Sequence, residues 1–411
     1  MMNEWLECTL KSLNLTDSMK RPDGFTRLGY SEEELEAMAV FKQVSEELGL
    51  KVRRDEAGNL FARWEGVSEN VVMTGSHLDT VENGGGYDGA AGVLCSLGAV
   101  KKLKEHGFVP QASIEVVCFA SEESARFGVS TIGSKSVSGI LEPAVQEVKD
   151  RHGITVKQAV ESVGLKWENM LNAERSKDEI LSFIELHIEQ GTQIEDHGAK
   201  FGVVRGVACP IRLKVKAGGM AGHTGTTPMG KRRDALAALA PLISFVSNTA
   251  EALSAASSKP LVATVSTLDV KPNVMNVIPG YAGAGIDIRS VDDQLKRKMA
   301  DEIIAFCRGL EEEFNVTMSI ETLVDNSSIL LDGKLMARVR DAGEQLGYQA
   351  FEMDSGAGHD VMNMAAKWPS ALVFIPCEKG ISHHPDEFTS LEDLSIGVDI
   401  LAEVLKQEAG D

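Results

Sequence analysis

The sequence predicts an α/β fold in which a larger domain with a mixed sheet is interrupted by a smaller inserted α/β sandwich. At 411 residues the chain is longer than the roughly 250 to 300 residues that one hydrophobic core serves, so two domains are expected. Short apolar runs alternate with helical patterns towards both ends of the chain, which is typical of a buried sheet flanked by helices. The middle instead follows the order strand, helix, strand, strand, helix, strand, which indicates a split β-α-β sandwich.

The outer domain begins with an amphipathic helix. Its apolar positions recur at helical spacing over residues 31–50, behind a Ser-x-x-Glu capping box at Ser31 and Glu34. The elements that follow are predicted as strands over 71–74, 113–120, 181–186 and 371–376 and as helices over 90–105 and 333–346. Functional residues of such sheets gather at the strand ends and in the loops beyond them.

The inserted domain is predicted from its own series of elements. Strands are expected over 211–216, 262–268, 282–288 and 316–321, and long helices over 232–256 and 292–314. We therefore assign residues 1–208 and 327–411 to the outer domain and residues 209–326 to the inserted one.

Composition and charge narrow the classes of function. Hydrophobic residues make up 43% of the chain and charged residues 25%, and no stretch approaches the about twenty apolar residues of a membrane helix. The first residues are acidic where a secretory signal is basic, so we expect a cytoplasmic protein. A formal charge of −20 argues against nucleic acid or an anionic membrane as a partner. The cysteines are scattered without a Cys-x-x-Cys pair, which indicates reduced thiols.

The most informative segment joins a strand to two acids and several glycines. It contains His77, Asp79 and Asp88, and imidazole and carboxylate are the usual ligands of a catalytic zinc or manganese ion. The glycines at 84, 86 and 89 also match a dinucleotide-binding fingerprint, but Asp88 would place a charge in the phosphate cradle. Taken alone, His77 could equally be a core histidine and Asp88 a turn residue.

Recurrence at other strand ends favours the metal interpretation. The strand over 113–120 is followed by Glu122 and Glu123, adjacent carboxylates that need compensating positive charge at a crowded strand end. Because adjacent side chains diverge, one can bind a metal while the other serves as general base. Two further strands are followed by His187 and by the pair His383 and His384. The sequence therefore predicts a metal centre built from several strand ends.

Taken in the order in which they occur along the chain, these motifs resemble those of the dinuclear metallopeptidase superfamily of aminoacylases and acetylornithine deacetylases. They are most similar to its hydantoinase/carbamoylase branch, which includes N-carbamoyl-L-amino acid hydrolases, β-ureidopropionases and allantoate amidohydrolases. The matching segments span nearly the whole chain: 75–80, 88–92, 122–127, 133–134, 185–191, 222–228, 276–279, 287–289, 355–360 and 380–383.

The resemblance implies two divalent ions per subunit, zinc, manganese or cobalt, and five ligands: His77, Asp88, Glu123, His187 and His383. Asp88 would bridge the two ions, and Asp79 would orient His77. Where the branch has one histidine after Gly-Ile-Ser, this chain has two, so His384 is the alternative to His383 as the fifth ligand.

The resemblance also implies a mechanism. A hydroxide bridging the ions would attack the substrate carbonyl while Glu122, the general base and acid, takes and returns the proton. His223 and Asn276 would donate hydrogen bonds to the carbonyl oxygen, with His223 reaching the site of the partner subunit in a homodimer. Arg289 would clamp a substrate carboxylate. Gln190 and the loop from Ser355 to Gly358 would line the ureido pocket.

The activity implied is hydrolysis of a ureido (N-carbamoyl) C–N bond in a carboxylate-bearing small molecule, with an N-carbamoyl-L-amino acid as the expected substrate. Allantoate is the alternative, followed by the deacylase or deformylase chemistry of the same superfamily. The inserted domain would act as a lid and dimerisation domain for the catalytic, metal-binding domain. A non-catalytic binding protein is disfavoured, because a scaffold that only binds metal does not need Glu122. The only support for an NAD-dependent oxidoreductase is the glycine pattern.

Overall fold

Residues 2–410 are described by a computed structural model, in which they fold into two units. The first unit runs to Arg205 and resumes at Leu331, and the second comprises Gly206–Leu330. The boundaries that the sequence predicts, after 208 and before 327, lie a few residues from these. Each unit has a hydrophobic core of its own.

The strands and helices are numbered in chain order. The strands are β1 (Lys51–Arg54), β2 (Leu60–Trp64), β3 (Ser68–His77), β4 (Ala112–Phe119), β5 (Ile180–Ile188), β6 (Phe201–Val207), β7 (Ile211–Gly218), β8 (Gly222–His223), β9 (Val262–Lys271), β10 (Val277–Ile278), β11 (Tyr281–Arg289), β12 (Thr317–Asp325), β13 (Ile329–Leu330), β14 (Ala350–Ser355) and β15 (Ser370–Ile375). The helices are α1 (Met2–Leu13), α2 (Glu32–Glu47), α3 (Ala90–Glu105), α4 (Ile132–Ser138), α5 (Val156–Ser162), α6 (Gln193–Asp196), α7 (Ala235–Ala255), α8 (Asp293–Phe314), α9 (Gly333–Gln345), α10 (Val361–Ala365) and α11 (Leu391–Gly410).

The main sheet is mixed, which confirms the predicted α/β class. Its strand order is β1-β2-β4-β3-β5-β15-β6-β13, and β14 pairs with β6. The central strands β4, β3, β5 and β15 are parallel to one another, whereas the strands on either side are antiparallel. The carboxyl ends of the four parallel strands therefore lie at the same edge of the sheet, where the polar motifs follow them.

Helix α3 begins and ends where the sequence predicts. It is apolar on most sides because β3 and β5 cover one face while α1 and α11 cover another. Such a helix is expected only where neighbours surround it. Its first turn follows the glycine-rich loop directly. The burial of α3 against the sheet therefore also fixes the position of that loop.

Helix α2 has half of the predicted capping box. Ser31 Oγ accepts a hydrogen bond of 3.2 Å from Glu34 N, as expected. The carboxylate of Glu34 does not return to Ser31, however, and instead accepts hydrogen bonds from Tyr30 N and, at 2.7 Å, from Ser121 N. This acid therefore fixes the chain just before Glu122, a tertiary role that a capping pattern cannot reveal.

The second unit has the predicted order of strands and helices. Its antiparallel sheet follows the order β12-β7-β11-β9, and both α7 and α8 pack against these strands. The short strands β8 and β10 form a separate ribbon in which His223 lies opposite Val277.

Helix α7 is long and apolar enough, by length and composition, to cross a membrane. The sequence predicted a helix over 232–256, but the expectation that no stretch of the chain is apolar enough to span a membrane is corrected by this helix. Part of its composition is explained by packing, since Ala238, Leu239, Leu242 and Val246 are buried in the core of this unit. Only 28% of its most apolar window is buried, so small apolar residues also lie on its outer side.

Candidate metal centre

Acids and histidines from separate motifs lie together at the carboxyl edge of the main sheet. His77 is the last residue of β3, His187 is the next-to-last residue of β5, and Glu122 and Glu123 follow β4. Asp88 lies in the glycine-rich loop before α3. All five residues are buried. These side chains form one cluster because parallel strands end on the same side of the sheet.

The first ligand group consists of His77, His187 and Asp88. His77 Nδ1 lies 3.1 Å from the carbonyl oxygen of Asp79, and His187 Nδ1 lies 2.9 Å from that of Ile188. A carbonyl can only accept, so each Nδ1 carries a proton, and Nε2 is the ring nitrogen that is left to bind a metal. Those Nε2 atoms lie 3.5 Å and 3.1 Å from Asp88 Oδ1. This tautomer is the one that a metal requires.

The second ligand group consists of Asp88, Glu123 and His383. His383 Nε2 lies 3.3 Å from Asp88 Oδ2 and 3.3 Å from Glu123 Oε1. The two oxygens of Asp88 thus belong to different groups. His384 faces elsewhere, because its Nδ1 accepts a hydrogen bond of 3.1 Å from Asp386 N. The geometry therefore favours His383 over His384 as the fifth ligand.

The donor set fits divalent cations. In each group the candidate ligand atoms lie within 4.8 Å of one another, and both groups combine imidazole with carboxylate, which suits zinc, manganese and cobalt. Burial by itself raises the pKa of Asp88. The three histidines have the opposite effect, and together they hold this pKa well below its usual value: His187, His383 and His77. Hydrogen bonds from Asp88 and Glu123 raise the pKa of His383 to about 10.

Glu122 lies beside both groups but belongs to neither. Its Oε2 is 3.7 Å from His77 Nε2. Burial raises the pKa of the Glu122 carboxyl well above its ordinary value; His77 lowers it, and Asp360 and Glu123 raise it further. A carboxyl group in such surroundings can hold a proton near neutral pH, which is a property of general acids and bases.

Asp79 fixes the turn that carries the two glutamates. Its Oδ1 and Oδ2 accept hydrogen bonds from the backbone N–H groups of Glu122 (3.0 Å) and Glu123 (2.9 Å). Its Oδ1 also lies 3.4 Å from His77 Nδ1. Orienting His77 is therefore only part of what this carboxylate does.

Gln190 contacts the shared carboxylate directly. Its Nε2 donates to Asp88 Oδ2 at 2.7 Å and to Ser382 Oγ at 3.2 Å, and its backbone adopts a left-handed φ of 58°. Among residues 2–410, no donor reaches the buried Oε1 of this side chain. The amide is consequently oriented with its acceptor unsatisfied.

Two polar residues near the ligand groups, His359 and Glu185, lie in the matching segments of the sequence but had no predicted role. The ring of His359, which follows the exposed Gly358, packs edge-on against the ring of His187 at a centroid distance of 4.6 Å. Glu185, two residues before His187, accepts hydrogen bonds from Ser76 Oγ at 2.8 Å and Val361 N at 2.7 Å. Their presence inside the matching segments was the only signal in the sequence.

Three predicted site residues belong to the second unit. His223 and Asn276 are exposed; His223 ends β8, Asn276 immediately precedes β10, and Thr224 N donates to Asn276 O at 3.2 Å. Arg289 ends β11, and its Nε donates to Asp287 Oδ1 at 2.8 Å. The structure thus brings His223 and Asn276 together at one end of the ribbon of β8 and β10.

Several known proteins are similar to this chain in sequence and in fold. Residues 73–407 match peptidase family M20/M25/M40. The chain is 36% identical over 400 residues to an N-carbamoyl-L-amino acid amidohydrolase of Geobacillus stearothermophilus, covering 97% of each protein. It is also 36% identical over 391 residues to an allantoate amidohydrolase of Escherichia coli, covering 94% of this chain and 93% of that protein.

A solved structure agrees with these relatives. The crystal structure of an amidase of the hydantoinase/carbamoylase family from Burkholderia multivorans superposes with a TM-score of 0.90 at 27% identity. The superposition covers 100% of this chain and 98% of that one. The chain therefore belongs to peptidase family M20/M25/M40 and is a metal-dependent hydrolase of that family.

Proposed function

We propose that this chain hydrolyses a ureido (N-carbamoyl) C–N bond in a carboxylate-bearing small molecule, with an N-carbamoyl-L-amino acid as its substrate. The observation that carries the proposal is the pair of ligand groups that share Asp88, with the carboxylate of Glu122 beside them and outside both. Hydrolysis needs such a carboxylate, because a proton must leave the attacking water and reach the departing nitrogen.

Two divalent ions would be held by the two ligand groups. His77, His187 and Asp88 would hold one ion, and Asp88, Glu123 and His383 the other. When bound, such ions supply a water molecule of lowered pKa and polarise the substrate carbonyl. Zinc, manganese and cobalt all suit this combination of imidazole and carboxylate.

Glu122 would move the proton. It faces the same space as His77 Nε2, and its backbone is fixed by Asp79. Its carboxylate would accept a proton from the attacking water and deliver it to the nitrogen that leaves. Burial, which raises the pKa of Glu122, favours the protonated form between these two events.

Recognition of the ureido group would fall to the residues around Asp88. Since Gln190 Nε2 is engaged by Asp88 and Ser382, its Oε1 is oriented as an acceptor for a substrate N–H. The loop that ends at Gly358 leads into His359, which packs on His187, so this loop would line the same pocket. A ureido group offers more N–H donors than an acyl amide and would therefore bind better.

The second unit would supply the remaining groups. His223 and Asn276 would donate hydrogen bonds to the carbonyl oxygen, and Arg289 would bind the substrate carboxylate through its planar guanidinium. Asp287 supports the last assignment, because its bond to Arg289 Nε fixes the plane of that guanidinium.

We further propose a homodimer in which His223 acts in the site of the partner subunit, with this unit serving as lid and dimerisation domain. Strand β9 is at one end of the sheet order, and such edges pair readily with a second chain. Helix α7 carries only one charged residue, Glu251, and exposes much of its length. Met275, two residues before β10, is also fully exposed, which supports contact with a partner.

Mixing two inactive variants tests this arrangement. His223→Ala and Glu122→Gln subunits, unfolded together and refolded as a mixture, would form dimers in which one of the two sites contains both native residues. Activity should therefore return on mixing. If the mixture stays as inactive as each variant alone, while sedimentation shows a dimer, His223 acts within its own subunit.

A cytoplasmic location is part of the proposal. The six cysteines are all free, as expected where thiols stay reduced. Fractionation of cells that produce the full chain would test the location.

Allantoate is the second candidate substrate. The observation in its favour is the Escherichia coli allantoate amidohydrolase, which is as similar to this chain as the carbamoylase is. Allantoate also carries a carboxylate and ureido groups, so the same residues could bind it.

A substrate panel separates these possibilities. Chelator-treated enzyme supplied with manganese, zinc or cobalt would be given N-carbamoyl-, N-formyl- and N-acetyl-L-amino acids with the same side chain, and allantoate. Release of both ammonia and free amino acid from the carbamoyl compound is expected, and Glu122→Gln should abolish it. Turnover of only the formyl or acetyl compounds would replace the proposal with deacylase chemistry.

A further inference from the structure

A buried carboxylate connects the two loops that carry the metal ligands. Glu387 Oε1 accepts hydrogen bonds from Tyr87 N at 2.8 Å and Asp88 N at 2.9 Å. Its Oε2 accepts from Ser382 Oγ at 3.2 Å and from His383 N at 3.3 Å. Each oxygen of one side chain therefore serves a different loop, although the loops are far apart in the sequence.

The loop of His383 needs this support. His383 adopts a left-handed φ of 56°, which costs a residue with a side chain on the order of 1 kcal/mol. Its backbone N–H is held by Glu387, and the hydroxyl of Ser382 lies between the carboxylates of Glu387 and Asp88, 3.0 Å from Asp88 Oδ2. The same contacts that hold the backbone thus aim His383 Nε2 at Asp88.

The other loop is shaped to receive Glu387. A Cβ atom at Gly85 would overlap Glu387 Oε1, so a glycine is needed for the carboxylate to reach the backbone of Tyr87 and Asp88. Glu387 is itself only 4% exposed. This close fit distinguishes it from Asp386, whose side chain is 79% exposed and whose nearest ionic partner is His384 at 3.7 Å.

The type of side chain at position 387 is informative as well. A second buried carboxylate next to Asp88 is unfavourable in a protein interior unless positive charge is close by. A neutral side chain could fill the same space without that repulsion. An anion at this position is favourable when cations occupy the ligand groups.

We propose that Glu387 is a positioning residue for the metal centre, which fixes Asp88 and His383 together and thereby sets the affinity of the group formed by Asp88, Glu123 and His383. The inference rests on the proposed metal pair. A cation bound by this group needs both loops in place at once, whereas the group of His77, His187 and Asp88 takes only Asp88 from these loops and its two histidines from β3 and β5.

The test is a titration of metal-free, full-length protein with Zn²⁺ alone, followed by calorimetry. Wild type should bind two ions. Glu387→Gln keeps the size of the side chain but offers one acceptor oxygen, so one loop loses its anchor. One of the two affinities should fall ~10- to 100-fold, as is typical when a residue behind a ligand is changed, while the other changes much less. Asp386→Asn is the matched control and should bind both ions as wild type does.

Two milder variants keep the test decisive if Glu387→Gln does not fold. Gly85→Ala, which would push Glu387 away from its loop, should weaken the same site, and Ser382→Ala should do so to a smaller extent. Wild-type affinities in all three variants, or an equal loss at both sites, would overturn the inference. If wild type itself bound no ion, the proposed metal pair would fail instead, so the two failures can be told apart.

Discussion

Asp79 Oδ1 accepts a hydrogen bond of 3.0 Å from the backbone N–H of Glu122. The adjacent N–H, that of Glu123, donates to the other oxygen of the same carboxylate. Two successive N–H groups on one carboxylate fix the direction in which each glutamate leaves the turn. Asp79 therefore holds Glu122, the proposed proton carrier, and Glu123, the proposed ligand, in different directions.

We expect Asp79→Asn to impair both functions of this turn. An amide offers one acceptor oxygen, and its NH₂ group would face a second N–H donor, so the turn should shift. Metal affinity should fall ~10- to 100-fold. The value of kcat should stay low even with saturating metal, because Glu122 is displaced as well.

Equilibrium dialysis and steady-state kinetics measure these two effects separately. Glu82→Gln, at an exposed position shortly after Asp79, is the control and should leave both unchanged. Full recovery of kcat at high metal concentration would mean that Asp79 does not position Glu122.

Removal of metal should lower thermal stability. Buried carboxylates and histidines at one sheet edge repel or titrate when cations are absent, and an ion that binds only the folded state stabilises it. Adding an ion at a hundredfold excess over its Kd should raise the free energy of unfolding by ~2.7 kcal/mol. Thermal melts with chelator and then with added zinc measure this change. An identical gain in His187→Ala would show that the metal binds elsewhere.

His383 and His384 should differ sharply when changed singly. His383 Nε2 lies within reach of Asp88 and Glu123, whereas the ring of His384 accepts from Asp386 N. His383→Ala should therefore lose one bound ion per subunit, and His384→Ala should keep both. Elemental analysis of the dialysed proteins counts the ions, and the opposite pattern would move the ligand to His384.

Lys296 gives a prediction for the second unit alone. Its side chain is 1% exposed, and Nζ donates to Cys209 O (2.7 Å), Asn326 O (2.8 Å) and Ser328 Oγ (2.9 Å). Lys296→Met would remove these three hydrogen bonds together with the 2.9 Å ion pair to Asp293, which should cost on the order of 3 kcal/mol of stability. Lys298→Met, at an exposed position of the same helix, is the control for urea unfolding.

The sequence predicted elements well where packing follows periodicity. Helix α3 has the predicted bounds because its apolar residues fill an interior position, whereas β3 extends from Ser68 to His77, beyond the apolar run at 71–74. Ladder hydrogen bonds do not depend on side-chain polarity, so polar residues at strand ends are hard to assign.

The candidate site was predictable to a similar extent. His77, Asp88 and His187 could be singled out because histidines and acids recur after strands. Glu34 and Glu387 could not, because each acts by accepting backbone N–H groups from a distant loop, and a sequence does not show which N–H groups lack partners. Such carboxylates look like solvated charges until the fold is known.

Gly89 allows a direct test of how tightly the centre is packed. Its φ is +62°, and a Cβ atom there would lie 2.5 to 2.6 Å from three atoms of the His77 ring. Gly107 has a similar φ of +72° but nothing within 4 Å of its Cβ position. Both alanine variants share the left-handed backbone penalty of about 1 kcal/mol, so they differ mainly in the contact with His77.

We therefore expect the free energy of unfolding of Gly107→Ala to fall by that penalty alone. That of Gly89→Ala should fall by a further ~1–3 kcal/mol because of overpacking. The displaced His77 ring should also cost Gly89→Ala one bound ion, which Gly107→Ala should retain. Urea unfolding of the metal-free proteins gives the first difference, and Zn²⁺ titration gives the second. Equal stability and equal metal binding in the two variants would show that the ring of His77 can move aside, and that the ligand geometry around Asp88 is not fixed by packing.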